Sequence, residues 1–400
     1  MKRVVLCCLC LGVAITLAMG CSAQNADPGK EDGLKAGEGA SKPSVLAEAE
    51  PALPGKDVPL APSSDDDGII DGDGDNEAAQ SAPETPESFS QPSIHAYTPL
   101  SPEQRGILAS IRWDLPPEKL NAVKAENENK HFLWSDEEHP YMFEPAITGL
   151  GGTYIGIGTD QSYLYMGWQR PTLGFVVDYD PWVVMVHYAY FAFFDKCEDS
   201  ACFREHFANR ETGQAWLKEY YAQHPQQAFI LSVHRASHRG ITNRFAKIRR
   251  LDAKTFLSDP SIYAYLRDMV QSGRLVTLQA NLLGDVAFSS IAQAMHQLGA
   301  HVTTLYLSNA EQYWNYSASF KQNIRALPYA DNAIVMRTSA TKPQNSDYRY
   351  SIQPVNVFKA WLDNPRGSNV KRVIRPVRIT GPDHIPFTVD DFMPPEASSP

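Results

Sequence analysis

The sequence has little cysteine and no excess of basic charge. After Met19 it also has no apolar run long enough to cross a bilayer. Cys7, Cys8, Cys10 and Cys21 crowd the first residues, so only Cys197 and Cys202 remain for the rest of the chain. That excludes a disulfide-built scaffold and a multi-cysteine zinc fold. Lys and Arg total 36 against 46 Asp and Glu, so no surplus of positive charge exists to neutralise phosphates, which argues against nucleic acid as a partner. No P-loop, G-x-S-x-G elbow or strong zinc spacing occurs, and no internal repeat breaks the chain. His234 and His238 are four apart, yet no acid or cysteine completes a metal set and Arg235 and Arg239 would repel a cation. They are expected as surface histidines rather than ligands.

What is present begins with Lys2 and Arg3, an apolar run from Val4 to about Met19, then Gly20 and Cys21. This is the pattern of an export signal. Leu17-Ala18-Met19-Gly20-Cys21 resembles a bacterial lipobox, which implies cleavage before Cys21 and its lipidation, in place of a plain secretory signal with a chance cysteine. The resemblance implies a membrane partner through the N-terminal lipid and a cell-envelope location, at the outer membrane where the organism has two.

From Ser22 to about Ala96 the composition turns to Ala, Pro, Gly, Ser and acids with almost no aromatics. Such a segment buries too little apolar area to offset the entropy of ordering, and reads as a tether. Asp71, Asp73 and Asp75 alternate as calcium ligands can, but Asn76 and Ala82 stand where a calcium loop wants Gly and Glu, so an acidic spacer is expected. In an oxidising compartment Cys197 and Cys202 can close a small disulfide loop if the backbone turns between them; free buried thiols are the alternative.

Residues 97–400 should form one α/β body. Ser101 and Pro102 start a helix in "SPEQRGILASIRW". Thereafter apolar runs of strand length alternate with helical patterns: "TYIGIG", a helix from Gln161, "LGFVVDY", "VVMVHYAYFAFF", "RLVTLQANLL", "AFSSIAQAMHQLG", "HVTTLYLS", "SASFKQNIRAL", "NAIVMRTS". The alternation predicts a doubly wound, mostly parallel sheet with helices on both faces. A mainly helical insertion at 195–273 is expected to cap the carboxyl edge.

Ligands of such sheets bind at the carboxyl ends of the strands, near the switch in strand order. Gly156 and Gly158, followed by Asp160 and Gln161, permit close backbone approach there, or form an ordinary strand-to-helix turn. Asp178 ends the next strand, where it can accept ribose hydroxyls or cap the helix after Pro181. In "YLSNAEQYW", Asn309, Glu311, Gln312 and Tyr313 offer polar and stacking groups to a ligand, or close the core as a capping turn. Asp285 either meets a ligand amine or caps the following helix.

"YIGIGTDQSYLYMGWQRPTLGFVVDYD" and "LLGDVAFSSIAQAMHQLGAHVTTLYLSNAEQYW" together resemble an uncharacterised bacterial protein family, over roughly residues 147–340. Its domain is similar to class I S-adenosylmethionine-dependent methyltransferases. The resemblance implies a Rossmann fold and S-adenosylmethionine or a related nucleoside as cofactor. It assigns Gly156 and Gly158 to the methionine side, Asp178 to the ribose and Asp285 to the adenine. The loop lacks a third glycine and no Asn-Pro-Pro-Tyr motif follows. The expectation is therefore an exported, lipid-anchored domain that binds a small ligand or partner without methyl transfer. An active methyltransferase is the alternative.

Overall fold

A computed structural model describes residues 98–120, 127–341, 347–381 and 383–396. The export signal, Cys21 and the acidic tether lie outside the described residues. Among those described, no helix is long and apolar enough to cross a membrane.

The body begins with α1 (Pro102–Ala109), which opens on a reciprocal capping box between Ser101 and Gln104. After a short 3-10 turn (Pro140–Phe143) and α2 (Glu144–Ile147), the strand–helix alternation runs β1 (Thr153–Ile157), α3 (Gln161–Gln169), β2 (Leu173–Asp178), α4 (Pro181–Lys196). Four further helices intervene before the next strand: α5 (Ser200–Ala208), α6 (Arg210–Tyr220), α7 (Gln227–Ile248) and α8 (Pro260–Gln271). The alternation resumes with β3 (Leu275–Gln279), α9 (Ala287–Leu298), β4 (Val302–Tyr306), α10 (Ala318–Ala326) and β5 (Tyr329–Ala340). The chain ends with β6 (Tyr348–Pro354), α11 (Val355–Asp363), α12 (Val370–Val373) and β7 (Phe387–Val389).

The strands form one sheet in the order β3-β2-β1-β4-β5-β6-β7. β1 to β5 are mutually parallel; β6 runs antiparallel to β5, and β7 lies parallel to β6. The fold is thus a Rossmann-like α/β sheet with its order reversing between β1 and β4. The sheet outlasts the strand-and-helix pattern legible in sequence, since β6 and β7 add an antiparallel edge beyond "NAIVMRTS".

The double-sided burial follows from the side-chain period of two. On β1, Tyr154 joins a core with α3, α4, α7 and α8, while Ile155 and Ile157 join the opposite core with α1, α9, α10 and α11. On β2, Val176 divides from Phe175 and Val177 in the same way. Both faces being covered, no polar alternation appears in these strands.

Cys197 and Cys202 are joined as a disulfide across the α4–α5 turn, with Cα atoms 5.5 Å apart. His234 on α7 is not a surface residue, contrary to the expectation from sequence. It is fully buried, Gln214 Nε2 donates to its Nδ1 at 3.0 Å, and burial pushes its pKa down to about 4. His238 is only half-buried.

Candidate functional site

The switch point lies at the carboxyl ends of β1 and β4, where the loops after β1, β2 and β4 converge. The first loop has the backbone expected of it: Gly158 has φ +100°, a conformation that favours glycine. Its space, however, is taken by the protein itself. A side chain at position 156 would collide with the phenol of Tyr154, whose hydroxyl donates to Ser162 at 3.1 Å. One at 158 would meet the Gln161 amide at 2.6 Å. Gln161 is buried and accepts from Thr159, and His187 reaches over from α4 to the Gly158 carbonyl at 2.8 Å. Gly156 therefore gives room to a tyrosine ring.

Asp160 is buried and ion-paired with Arg244 from α7, whose Nε donates at 2.9 Å. The other carboxylate oxygen accepts from the Ser135 amide at 2.7 Å. Arg244 also donates to the Glu137 carbonyl at 2.6 Å. Burial pulls the pKa of this guanidinium down, but the Asp160 charge more than offsets this and leaves it above the ordinary arginine value.

Ser135 and Glu137 belong to a segment, residues 131–139, that runs across the carboxyl edge. At one end His131 stacks on Trp182 at 4.4 Å and hydrogen-bonds Asp180 at 2.9 Å. At the other, the His139 ring pairs with Asp347 at 2.6 Å, and the Glu138 amide donates to the same carboxylate. Between them the Glu137 side chain turns inward. Its carboxylate accepts from Tyr165 at 2.9 Å, from Thr338 at 3.3 Å and from Tyr306. Burial pushes Glu137 up to about 7 even though the Tyr306 and Tyr165 hydroxyls and Arg244 oppose it.

This has a measurable consequence. With the folded pKa above the unfolded 4.5, the native protein holds a proton that the unfolded chain has released throughout the window from pH 4.5 to about 7. The contribution of Glu137 to stability is greatest below that window, falls as pH rises through it and is level above, while buried His234 acts in the opposite sense between about pH 4 and 6.5. A shift of this size corresponds to about 3 kcal/mol. Glu137→Gln should shift the change in stability between pH 5 and pH 8 upward relative to the native chain, as read by urea denaturation of both proteins; an unaltered pH difference would show that Glu137 is ionised at both.

Asp178 ends β2, as sequence suggested, and its carboxylate accepts from the Asp180 amide at 2.9 Å. Burial raises it to about 7. The capping of α4 falls to Asp180, which accepts from the Trp182 amide. Asp285 is exposed and is not the cap of α9. That work is done by Asp114, far away in sequence, whose buried carboxylate accepts from the amides of Asn281, Val286 and Ala287.

The "YLSNAEQYW" string divides. Asn309 is half-buried, its amide 3.5 Å from the Tyr348 hydroxyl. Glu311 is engaged within the protein: it is buried in an ion pair with Arg337 at 2.6 Å and accepts from Tyr316 at 2.5 Å. Gln312 and Tyr313, with Glu311, line an open cleft beside the ends of β4 and β5.

Among known sequences, the family described as a domain of unknown function, DUF7790, matches residues 132–388. The chain belongs to this family. No curated protein matches it. The DUF7790 match starts at Phe132, inside the segment over the carboxyl edge, and ends at Thr388 in β7. It therefore spans Asp160, Arg244, Glu137, Tyr165, Tyr306 and Thr338 together, whereas Asp114 lies outside it.

Sequence reasoning missed Glu137, Arg244, Asp114 and His131. Arg244 is 84 residues from its partner, and no local pattern marks such a pair. The one available signal was the dense polar and aromatic string "FLWSDEEHPYMF" before the first strand.

Proposed function

We propose that the chain is an exported, lipid-anchored binding protein of the cell envelope. Its Rossmann-like domain, similar to class I S-adenosylmethionine-dependent methyltransferases, takes a small ligand or partner without transferring a methyl group. The observation that carries the reading is the Ser135–Asp160–Arg244 arrangement over the glycine loop. A nucleoside entering that loop would have to separate a buried ion pair, at a cost of roughly 3–5 kcal/mol. A micromolar ligand binds with about 8 kcal/mol, so the penalty leaves affinity near the millimolar range.

Calorimetric titration of the purified protein with S-adenosylmethionine and S-adenosylhomocysteine tests this. The expected result is no heat below about 1 mM, the affinity left by that penalty. Micromolar binding that Asp178→Ala abolishes would reverse the conclusion in favour of an active methyltransferase. That second reading draws on Asp178, an acid at the end of β2 where ribose hydroxyls are held in this class of sheet.

The anchor rests on the lipobox resemblance at Cys21. Cells fed radiolabelled palmitate should label the native chain and not Cys21→Ala; an unlabelled native chain would remove the anchor and the envelope location with it.

A further inference from the structure

We propose that the cleft between the "EQYW" turn and the basic C-terminal segment binds a small amphipathic monoanion, with an apolar chain and a single acidic group. The proposal deepens the binding reading above and rests on it, by naming a site and a ligand chemistry.

The cleft lies on the carboxyl side of β4 and β5. Its larger chamber, about 490 Å³, is walled by Gln312, by Ser339–Thr341 at the end of β5, by Arg349 and by residues of the 370–379 segment. A second chamber of about 230 Å³ continues past Tyr313, Trp314 and Asn369, with Gln312, Val370 and Lys371 shared by both. The larger chamber alone is within the ~300–1,000 Å³ of small-ligand sites.

The charges around it are unequal in kind. Arg349 is held by Asp390 and Thr388, Arg375 by Asp391, and Glu311 by Arg337, so each of these is neutralised within the protein. Lys371 and Arg378 are exposed on the larger chamber and form no ion pair among the described residues. Two free cations beside three locally balanced pairs suit one anionic group. Two exposed cations do not match the several charges of a polyphosphate, and they repel a metal ion.

The remaining wall is apolar. Val370 and Ile374 are buried, and Val377 and Ile379 half-buried, along the same chamber. A chain of methylene groups lying there removes apolar surface from water on both partners. Trp314 and Asn369 wall the smaller chamber, the Asn369 amide donating to the Asn315 side-chain oxygen at 3.0 Å. The turn that sequence singled out thus supplies a wall of the cleft through Gln312, Tyr313 and Trp314.

The test uses octanoate as probe and octan-1-ol as its uncharged counterpart, titrated calorimetrically into the full chain. Octanoate should bind at least tenfold more tightly than the alcohol. Lys371→Ala with Arg378→Ala should weaken octanoate at least tenfold, leave the alcohol unchanged and leave the melting temperature unchanged, because both side chains are exposed. No octanoate binding, equal binding of acid and alcohol, or a double variant that binds octanoate as the native chain does would each overturn the proposal. Parallel titration with S-adenosylmethionine separates this from the reading above. Micromolar cofactor binding with octanoate binding intact defeats only the non-catalytic reading; silence toward both removes only the cleft.

Discussion

Replacing Arg244 by Met is expected to lower the unfolding free energy by roughly 3–5 kcal/mol, the cost of breaking a buried pair from one side. The guanidinium is buried, and it joins three parts of the molecule: α7 where it originates, Asp160 after β1, and the Glu137 carbonyl in the edge-crossing segment. Methionine restores most of the lost packing, so the residual effect is electrostatic. Asp160 would be left buried, with the Ser135 amide and a Thr159 hydroxyl shared with Gln161 as its remaining donors. Adding Asp160→Asn removes the stranded charge and should recover a substantial part of the loss, since neutral replacements of buried pairs are often well tolerated. Denaturant unfolding of the two variants decides the matter. A loss under about 1 kcal/mol in the single variant is what exposed pairs give, and it would mean that solvent reaches Asp160.

Glu311→Ala carries an expectation of similar size, roughly 3–5 kcal/mol, for the opposite sign of stranded charge. Arg337 is fully buried; it would keep the Gln353 oxygen at 2.9 Å and the face of Phe358 at 4.7 Å, but no ion-paired partner, since the Asp390 carboxylate that also acts on it is itself paired with Arg349. Tyr316 would also lose the acceptor of its hydroxyl. The glutamine variant keeps an acceptor without the charge and should fall between. A ligand-facing Glu311 predicts the reverse: near-native stability with altered binding. Thermal and denaturant unfolding therefore separate an anchoring role from a recognising one.

These two pairs also mark where sequence stops being legible. The parallel sheet could be read because strands covered on both faces are continuous apolar runs, and "TYIGIG" and "LGFVVDY" lie where β1 and β2 form. Ser101 and Pro102 could be read because a capping box is local. The glycines gave the turn, and Gly158 does adopt a glycine-favoured conformation. Whether a turn faces a ligand or its own protein depends on side chains arriving from elsewhere. Tyr154 and Gln161 fill from within the loop's own neighbourhood, but Arg244 arrives from a helix that no spacing links to Asp160. The same reason explains Asp285, which stands at a plausible capping place while Asp114 takes the amides. It explains His234 as well: the charged residues beside it suggested a surface, and the helical period turned it into the core.

The segment crossing the carboxyl edge also constrains how the chain reaches its native state. Glu137 meets Tyr306 and Thr338, 169 and 201 residues later, and His139 meets Asp347 and Tyr350 at separations of 208 and 211. Contacts this distant close the largest loops and form slowly. Strands β1 to β4 can emerge and pair and bring Tyr165 and Tyr306 to the inward carboxylate, yet its last donor, Thr338, arrives only with β5. The chain therefore completes its fold only when nearly all of it is present, and a fragment ending with β5 at Ala340 would leave the Glu138 amide and the His139 ring without Asp347.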